Sequence, residues 1–97
     1  MVMRIFKGVE FPYRAITALT TLTDDDYQIE CTANSFTVTL PTAVGRVGRE
    51  FSIKNSGTGT ITIDGDGTET IDLELTRKLV QFENLVIMSN NVGWIIQ

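Results

Sequence analysis

Apolar and polar residues alternate strictly through Phe36-Thr37-Val38-Thr39-Leu40, and Phe51-Ser52-Ile53-Lys54 repeats the alternation. A strand sends successive side chains to opposite faces, so each segment reads as a strand with one buried and one wetted face. Pro41 ends the first run because it has no N–H to give a ladder, and Gly45 and Gly48 lie in the loop that follows. The two segments are therefore expected to form an antiparallel pair. The same spelling recurs elsewhere: Tyr27, Ile29 and Cys31 alternate with Gln28 and Glu30, Ile61 and Ile63 with Thr62, and Ile71, Leu73 and Leu75 with Asp72 and Glu74. Leu79, Val80 and Phe82 predict a further short strand. Leu85-Val86-Ile87-Met88 is the most continuous apolar run, and Trp94-Ile95-Ile96 closes the chain. Continuous apolarity requires cover on both faces, as in a sandwich core or a subunit seam. Turn signals separate these runs at Asn55-Ser56-Gly57-Thr58-Gly59, Asp64-Gly65-Asp66-Gly67 and Ser89-Asn90-Asn91-Val92-Gly93. About seven short strands so spaced predict an all-β chain, a small antiparallel β-sandwich or barrel-like module over residues 23–97.

Residues 1–22 fit neither period. Pro12 breaks any helix there and biases Phe11 toward an extended conformation. Residues 15–22 read as a short helix or an extended arm, and their threonines favour the extended form. An apolar leader on a soluble domain wants cover. The segment reads either as a partly ordered leader or as a docking arm, whose contact residues would be Ile5, Phe6, Phe11 and Tyr13. Asp24-Asp25-Asp26 then predicts a solvated acidic turn, since neighbouring carboxylates on an extended chain diverge and hold a metal poorly.

Composition narrows the function classes. With 97 residues, 42% of them hydrophobic, the chain makes one domain. No apolar run approaches the ~20 residues a membrane helix needs, so membrane insertion is not expected. The start of the chain lacks the long apolar centre of a secretory signal, which points to assembly in a cytoplasm. A net charge of −4, with eight basic residues scattered among twelve acidic ones, argues against nucleic acid as a partner. The absence of histidine removes the usual general base and the commonest metal ligand. Cys31, the single cysteine, sits in an alternating segment and reads as a small buried thiol. Asp64-Gly65-Asp66-Gly67-Thr68-Glu69 places oxygen ligands at alternate positions, as a calcium loop does. The sixth position is Glu69 and the twelfth Leu75, so the EF-hand pattern fails, and a tight Asp-Gly hairpin turn accounts for Asp64 and Asp66. The remaining acids fall in turns or at wetted strand positions, so neither an enzyme nor a cofactor is expected.

The ordered set Asp26-Tyr27, Thr37-Val38-Thr39-Leu40-Pro41, Gly48-Arg49-Glu50-Phe51-Ser52-Ile53-Lys54-Asn55, Ile61-Thr62-Ile63, Glu69-Thr70-Ile71-Asp72 and Gly93-Trp94-Ile95-Ile96 resembles a β-module of bacteriophage tail fibres, tailspikes and related virion appendages. The resemblance runs from Leu22 to Gln97. It departs at Leu73, where a glycine commonly follows Ile-Asp, and at Ser89-Asn90-Asn91-Val92, which replaces a Ser-Asp-Gly turn. The resemblance implies a homotrimeric structural protein of the virion, whose N-terminal arm attaches it to other virion proteins. Leu85, Val86, Ile87, Met88, Trp94 and Ile96 are then the expected core or three-fold seam. A host surface glycan is a further candidate partner, for which Trp94 offers a ring to stack on a sugar. In a terminal strand beside Ile95 and Ile96, the same residue reads better as a core or seam tryptophan. Arg46, Arg49, Lys54, Arg77 and Lys78 read as polar rims or intersubunit ion pairs. The alternatives are a capsid decoration protein or head fibre, and a monomeric carbohydrate-binding module.

Overall fold

The structure, a computed structural model, describes residues 10–97. Among these residues there are nine short strands and no helix: β1 (Tyr13–Ile16), β2 (Thr20–Thr21), β3 (Gln28–Cys31), β4 (Thr37–Thr39), β5 (Glu50–Asn55), β6 (Ile61–Asp64), β7 (Thr76–Leu79), β8 (Asn84–Ser89) and β9 (Trp94–Ile96). They form a five-stranded sheet ordered β1-β3-β5-β8-β9 and a four-stranded sheet ordered β2-β4-β6-β7. The all-β expectation holds, with nine strands where about seven were read.

The first six strands alternate between the sheets. Each therefore lies parallel to the one two places earlier: β1, β3 and β5 are parallel in one sheet, and β2, β4 and β6 in the other. Parallel neighbours need a crossover between them, and here each crossover carries a strand of the opposite sheet. Only β7, β8 and β9 return antiparallel. The expected antiparallel sheet is thus corrected to two mixed sheets. The expected pairing of residues 36–40 with 51–54 is corrected as well, because β4 and β5 lie in different sheets. The connection through Leu40 and Ala43, both fully buried, carries the chain across the core instead of folding it back beside β4.

Alternation does decide which side chains go inward. Ile29, Cys31, Phe51, Ile53, Leu85, Ile87 and Trp94 from the first sheet join Val38, Ile61, Ile63 and Leu79 from the second in one core cluster. The segment read as a leader or docking arm joins the sheets from residue 13 and the core at Ile16 and Leu22. β1 and β2 are edge strands of the two sheets, and Ile16 and Leu22 are buried. Ile5 and Phe6 lie outside the described residues. Trp94 packs against Phe51, with ring centroids 5.5 Å apart. Its Nε1 has no acceptor among the described residues, so the indole fills volume at a cost of about 1–3 kcal/mol.

Three further expectations are corrected. Residues 71–75 do not form a strand. Ile71 is buried and bridges Glu74, while Asp72 and Leu73 take φ of +48° and +71° in the tight turn between them. This is the backbone a two-residue loop prefers, and it favours Asn-Gly or Asp-Gly. Leu73 stands in the glycine position and is 91% exposed. Likewise, Val80 and Phe82 leave the sheet after β7. Residues 80–83 form a turn closed by the Glu83 N–H donating to Val80 O at 3.0 Å, with Phe82 at φ +69°. The acidic turn at 24–26 is also less solvated than expected. Asp26 is only 6% exposed, accepting two 3.0 Å hydrogen bonds from Arg14 and one from the Thr23 N–H.

The buried polar residue that joins the sheets is Asn55, fully enclosed at the end of β5. Its Nδ2 donates to Gly59 O at 2.7 Å and to Leu79 O at 2.9 Å, and its Oδ1 accepts from the Gly57 N–H at 3.0 Å. One carboxamide thereby ties the first sheet to the end of β7 in the second and shapes the β5–β6 turn. Gly57 is required in that turn because a Cβ would collide with the Ala33 carbonyl oxygen.

Two stability outcomes follow. Asn55→Ala strands the buried Leu79 carbonyl and Gly57 N–H and the half-buried Gly59 carbonyl, so chemical denaturation should show a loss of about 3 kcal/mol. Leu73→Gly relieves a left-handed leucine that packs on nothing, and should raise stability by about 0.5–1 kcal/mol after the entropy cost of glycine.

Candidate functional site

The residues expected at a seam divide by the pleat. Leu85, Ile87 and Trp94 belong to the core, and Ile96 packs against it. Val86 and Met88 point to the outer face of the five-stranded sheet and are half-buried. Ile95, opposite Met88, joins them there. At 1% exposure Trp94 has no face free to stack on a sugar. Of the arm residues, Phe11 stacks on Tyr27 with centroids 4.8 Å apart. Tyr13 stands 61% exposed on edge strand β1.

The other half of that outer face carries a groove of about 410 Å3. Its floor follows from register. Tyr13 lies beside Gln28, Gln28 beside Ser52, and one pleat further along Glu30 lies beside Lys54 and Lys54 beside Asn84. All of these side chains share one face because the strand period is two. Ser56 and Phe82 also line the groove, Phe82 as its second aromatic residue. Sequence reasoning missed this site. Tyr13 reads as part of an arm, and the turn that lifts Phe82 out of the sheet has neither Gly nor Asn at its third position to announce it.

The groove's charges are settled at neutral pH. The Tyr13 hydroxyl donates to Glu30 Oε1 at 2.5 Å. That hydrogen bond, then one from the Ser56 hydroxyl and the nearby Lys54 charge, hold the Glu30 carboxyl below its usual range against a smaller desolvation effect. The same bond raises the Tyr13 phenol. Glu30 is therefore an ionised acceptor and Tyr13 a neutral donor. Ser52 Oγ donates to Asn84 Oδ1 at 3.3 Å, and Lys54 Nζ sits 5.9 Å from the centre of the Phe82 ring. Such a surface offers hydrogen-bonding groups and exposed ring faces. Burial pushes the Cys31 thiol, which lies on the opposite, inward face of β3, up to about 11.

Several of the remaining candidates have local structural partners. Arg46 pairs with Asp24 at 2.8 Å and Arg77 with Glu74 at 2.9 Å. Glu69 accepts from the Thr42 hydroxyl and, at 2.8 Å, from the Ala43 N–H, fastening the 42–43 loop. Asp66 opens a turn in which its carbonyl accepts from the Glu69 N–H. Instead of a tight hairpin, residues 65–75 form a long excursion between β6 and β7. Among the described residues, no three His, Cys, Asp or Glu side chains gather as a metal site would require, and no helix is long and apolar enough to cross a membrane.

No family model, curated protein or solved structure matches the chain.

With Cys31 enclosed and its thiolate disfavoured, iodoacetamide at pH 8 should leave the native protein unmodified and alkylate it once it is unfolded in guanidinium. Mass spectrometry of both samples checks this, and rapid native labelling would mean that β3 opens.

Proposed function

We propose that the chain is a structural protein of a bacteriophage virion, a non-catalytic tail-fibre or appendage component that acts by homotrimeric assembly and is attached to the particle through its N-terminal segment. The observation that carries the reading is the ordered motif set and the positions its members take. Thr37–Thr39 forms β4, and Leu40-Pro41 makes the exit from it. The Phe51-x-Ile53-Lys54-Asn55 segment is the central strand of the larger sheet. Ile61-Thr62-Ile63 is β6. The Glu69-Thr70-Ile71 and Gly93-Trp94 elements meet each other: the Trp94 N–H donates to Thr70 O at 2.8 Å, and Ile71 bridges Trp94. Each motif therefore has a structural duty in one fold. This consistency supports a module selected for assembly. The two sheets sharing one core are read as a β-sandwich.

The seam is assigned to the outer face of β8 and β9, where Val86, Met88 and Ile95 adjoin one another. The free edge of β9 is less suited to pairing with another chain. The Asp72 N–H donates to Trp94 O and the Ile96 N–H to Asp72 Oδ1, so residues 70–72 already occupy it. A monomeric carbohydrate-binding module is the second reading, favoured by the groove beside Tyr13.

Light scattering on a size-exclusion column, across a dilution series, tests the assembly. The expected mass is that of three chains, persisting on dilution. Val86→Lys with Met88→Glu should lower it to one chain that still unfolds cooperatively, since both side chains point away from the core, with the loss of stability that trimer dissociation entails. A wild-type monomer would remove the trimer from the reading.

A further inference from the structure

We infer that the groove on the outer face of the five-stranded sheet is a binding site for a neutral oligosaccharide, gripped between Tyr13 and Phe82 and hydrogen-bonded to the floor of strands β1, β3, β5 and β8. The inference does not depend on trimer formation. The groove occupies the β1–β3–β5 side of the face, and the proposed seam the β8–β9 side.

Three observations carry it. The first is the pairing of aromatic walls with a polar floor. Tyr13 and Phe82 are 61% and 65% exposed, and a pyranose presents an apolar C–H face to such rings and hydroxyls around its edge. The floor supplies both halves of what a hydroxyl needs. Glu30 accepts, Lys54 donates, and Gln28, Asn84, Ser52 and Ser56 do both. These groups stand on paired strands, so their spacing is held by the ladder. A polyproline segment, the other common guest of aromatic grooves, wants apolar slots between rings and leaves a floor of charges and amides unsatisfied.

The second is charge. Glu30 and Lys54 are cross-strand neighbours, so the floor carries both signs side by side. The chain as a whole is at −4. The single cation of the floor is already balanced by Glu30, so it offers polyanionic glycans no net positive charge on a chain that is negative as a whole, whereas uncharged sugars need none.

The third is the backbone beneath Phe82. A bulky aromatic at φ +69° is costly, and Gly or Asn is the residue this turn position favours. The Phe82 N–H donates to Asn55 O at 2.5 Å, which locks the turn to the buried residue that joins the sheets. The fold thus holds an exposed phenyl ring in a strained conformation at the rim of the groove. Leu73 carries similar strain away from the groove; what sets Phe82 apart is that its strained turn presents a ring among the groove residues, beside Lys54.

Titration of the full chain with linear oligosaccharides of glucose, mannose, galactose and N-acetylglucosamine, and separately with an oligoproline peptide, tests the inference through amide chemical shifts. At least one saccharide should saturably shift the amides of Gln28, Glu30, Lys54 and Asn84. Tyr13→Ala and Phe82→Gly should each weaken that binding by about tenfold. Phe82→Gly should do so without lowering the unfolding midpoint, because glycine relieves the turn; Phe82→Asn serves the same purpose if the glycine variant is poorly folded. The inference is overturned if none of these sugars moves the groove amides. It is also overturned if only the oligoproline does, or if the folded Tyr13→Ala/Phe82→Gly double variant binds as well as the wild type.

Discussion

The architecture depends on a single buried carboxamide. Asn55 is the last residue of the central strand β5, and everything around it is a chain end that needs a partner: the β5–β6 turn, the end of β7, and the 80–83 turn. A buried carbonyl or N–H left unpaired costs more than a hydrogen bond normally contributes, so such ends are hard to enclose with apolar residues alone. Asparagine carries two donors and an acceptor on one short arm, and its backbone adds another of each. With all of these groups satisfied, the two sheets are held in one relative position. Aspartate is nearly isosteric but would turn a negative charge toward two carbonyl oxygens.

Around that point the chain behaves as a short coil. Six strands alternate between the sheets before three return antiparallel. In such a coil every parallel pair is stitched by a strand across the core, so neither sheet can form without the other. It also leaves an outer face on each sheet to be wetted. On the four-stranded sheet Thr37, Thr39 and Thr62 take these positions. On the five-stranded sheet the outer face divides into an apolar half and a polar, aromatic-walled half. The two proposals rest on this division: the seam is assigned to the apolar half and the sugar site to the polar half.

The motif set behind the family resemblance acquires physical reasons from the fold. Leu40-Pro41 ends β4 where the chain must cross to the other sheet. Glu69 holds the loop that makes this crossing, and Thr70 and Ile71 line up along Trp94. The leucine-for-glycine departure at residue 73 falls in an exposed turn, where it costs strain but disturbs no strand. These reasons concern folding and surface presentation, in keeping with an assembly role.

The inward residues of the alternating strands were legible in the sequence. Val38, Phe51, Ile53, Ile61 and Ile63 follow from a period of two, because burial on one face of a strand is a local property written in consecutive residues; in the continuous apolar runs at 85–88 and 94–96 only the sheet decided that Leu85, Ile87 and Trp94 face inward. Only the tertiary structure decided the partners of those strands. Parallel and antiparallel neighbours demand the same alternation, so nothing in residues 36–54 distinguishes a hairpin from a crossing between sheets. The apolar residues at 73 and 82 misled for a related reason. Both continue an alternating run, yet a positive φ sends each outward, and neither has the glycine or asparagine that normally marks such a turn. The groove was illegible for the same cause: Tyr13, Gln28, Ser52, Lys54 and Phe82 are distant along the chain, and only strand register places them side by side. Composition and periodicity determined that the chain is β and which side chains its alternating strands bury. Long-range pairing, which depends on the free energy of the whole assembly of strands, determined what its surface presents.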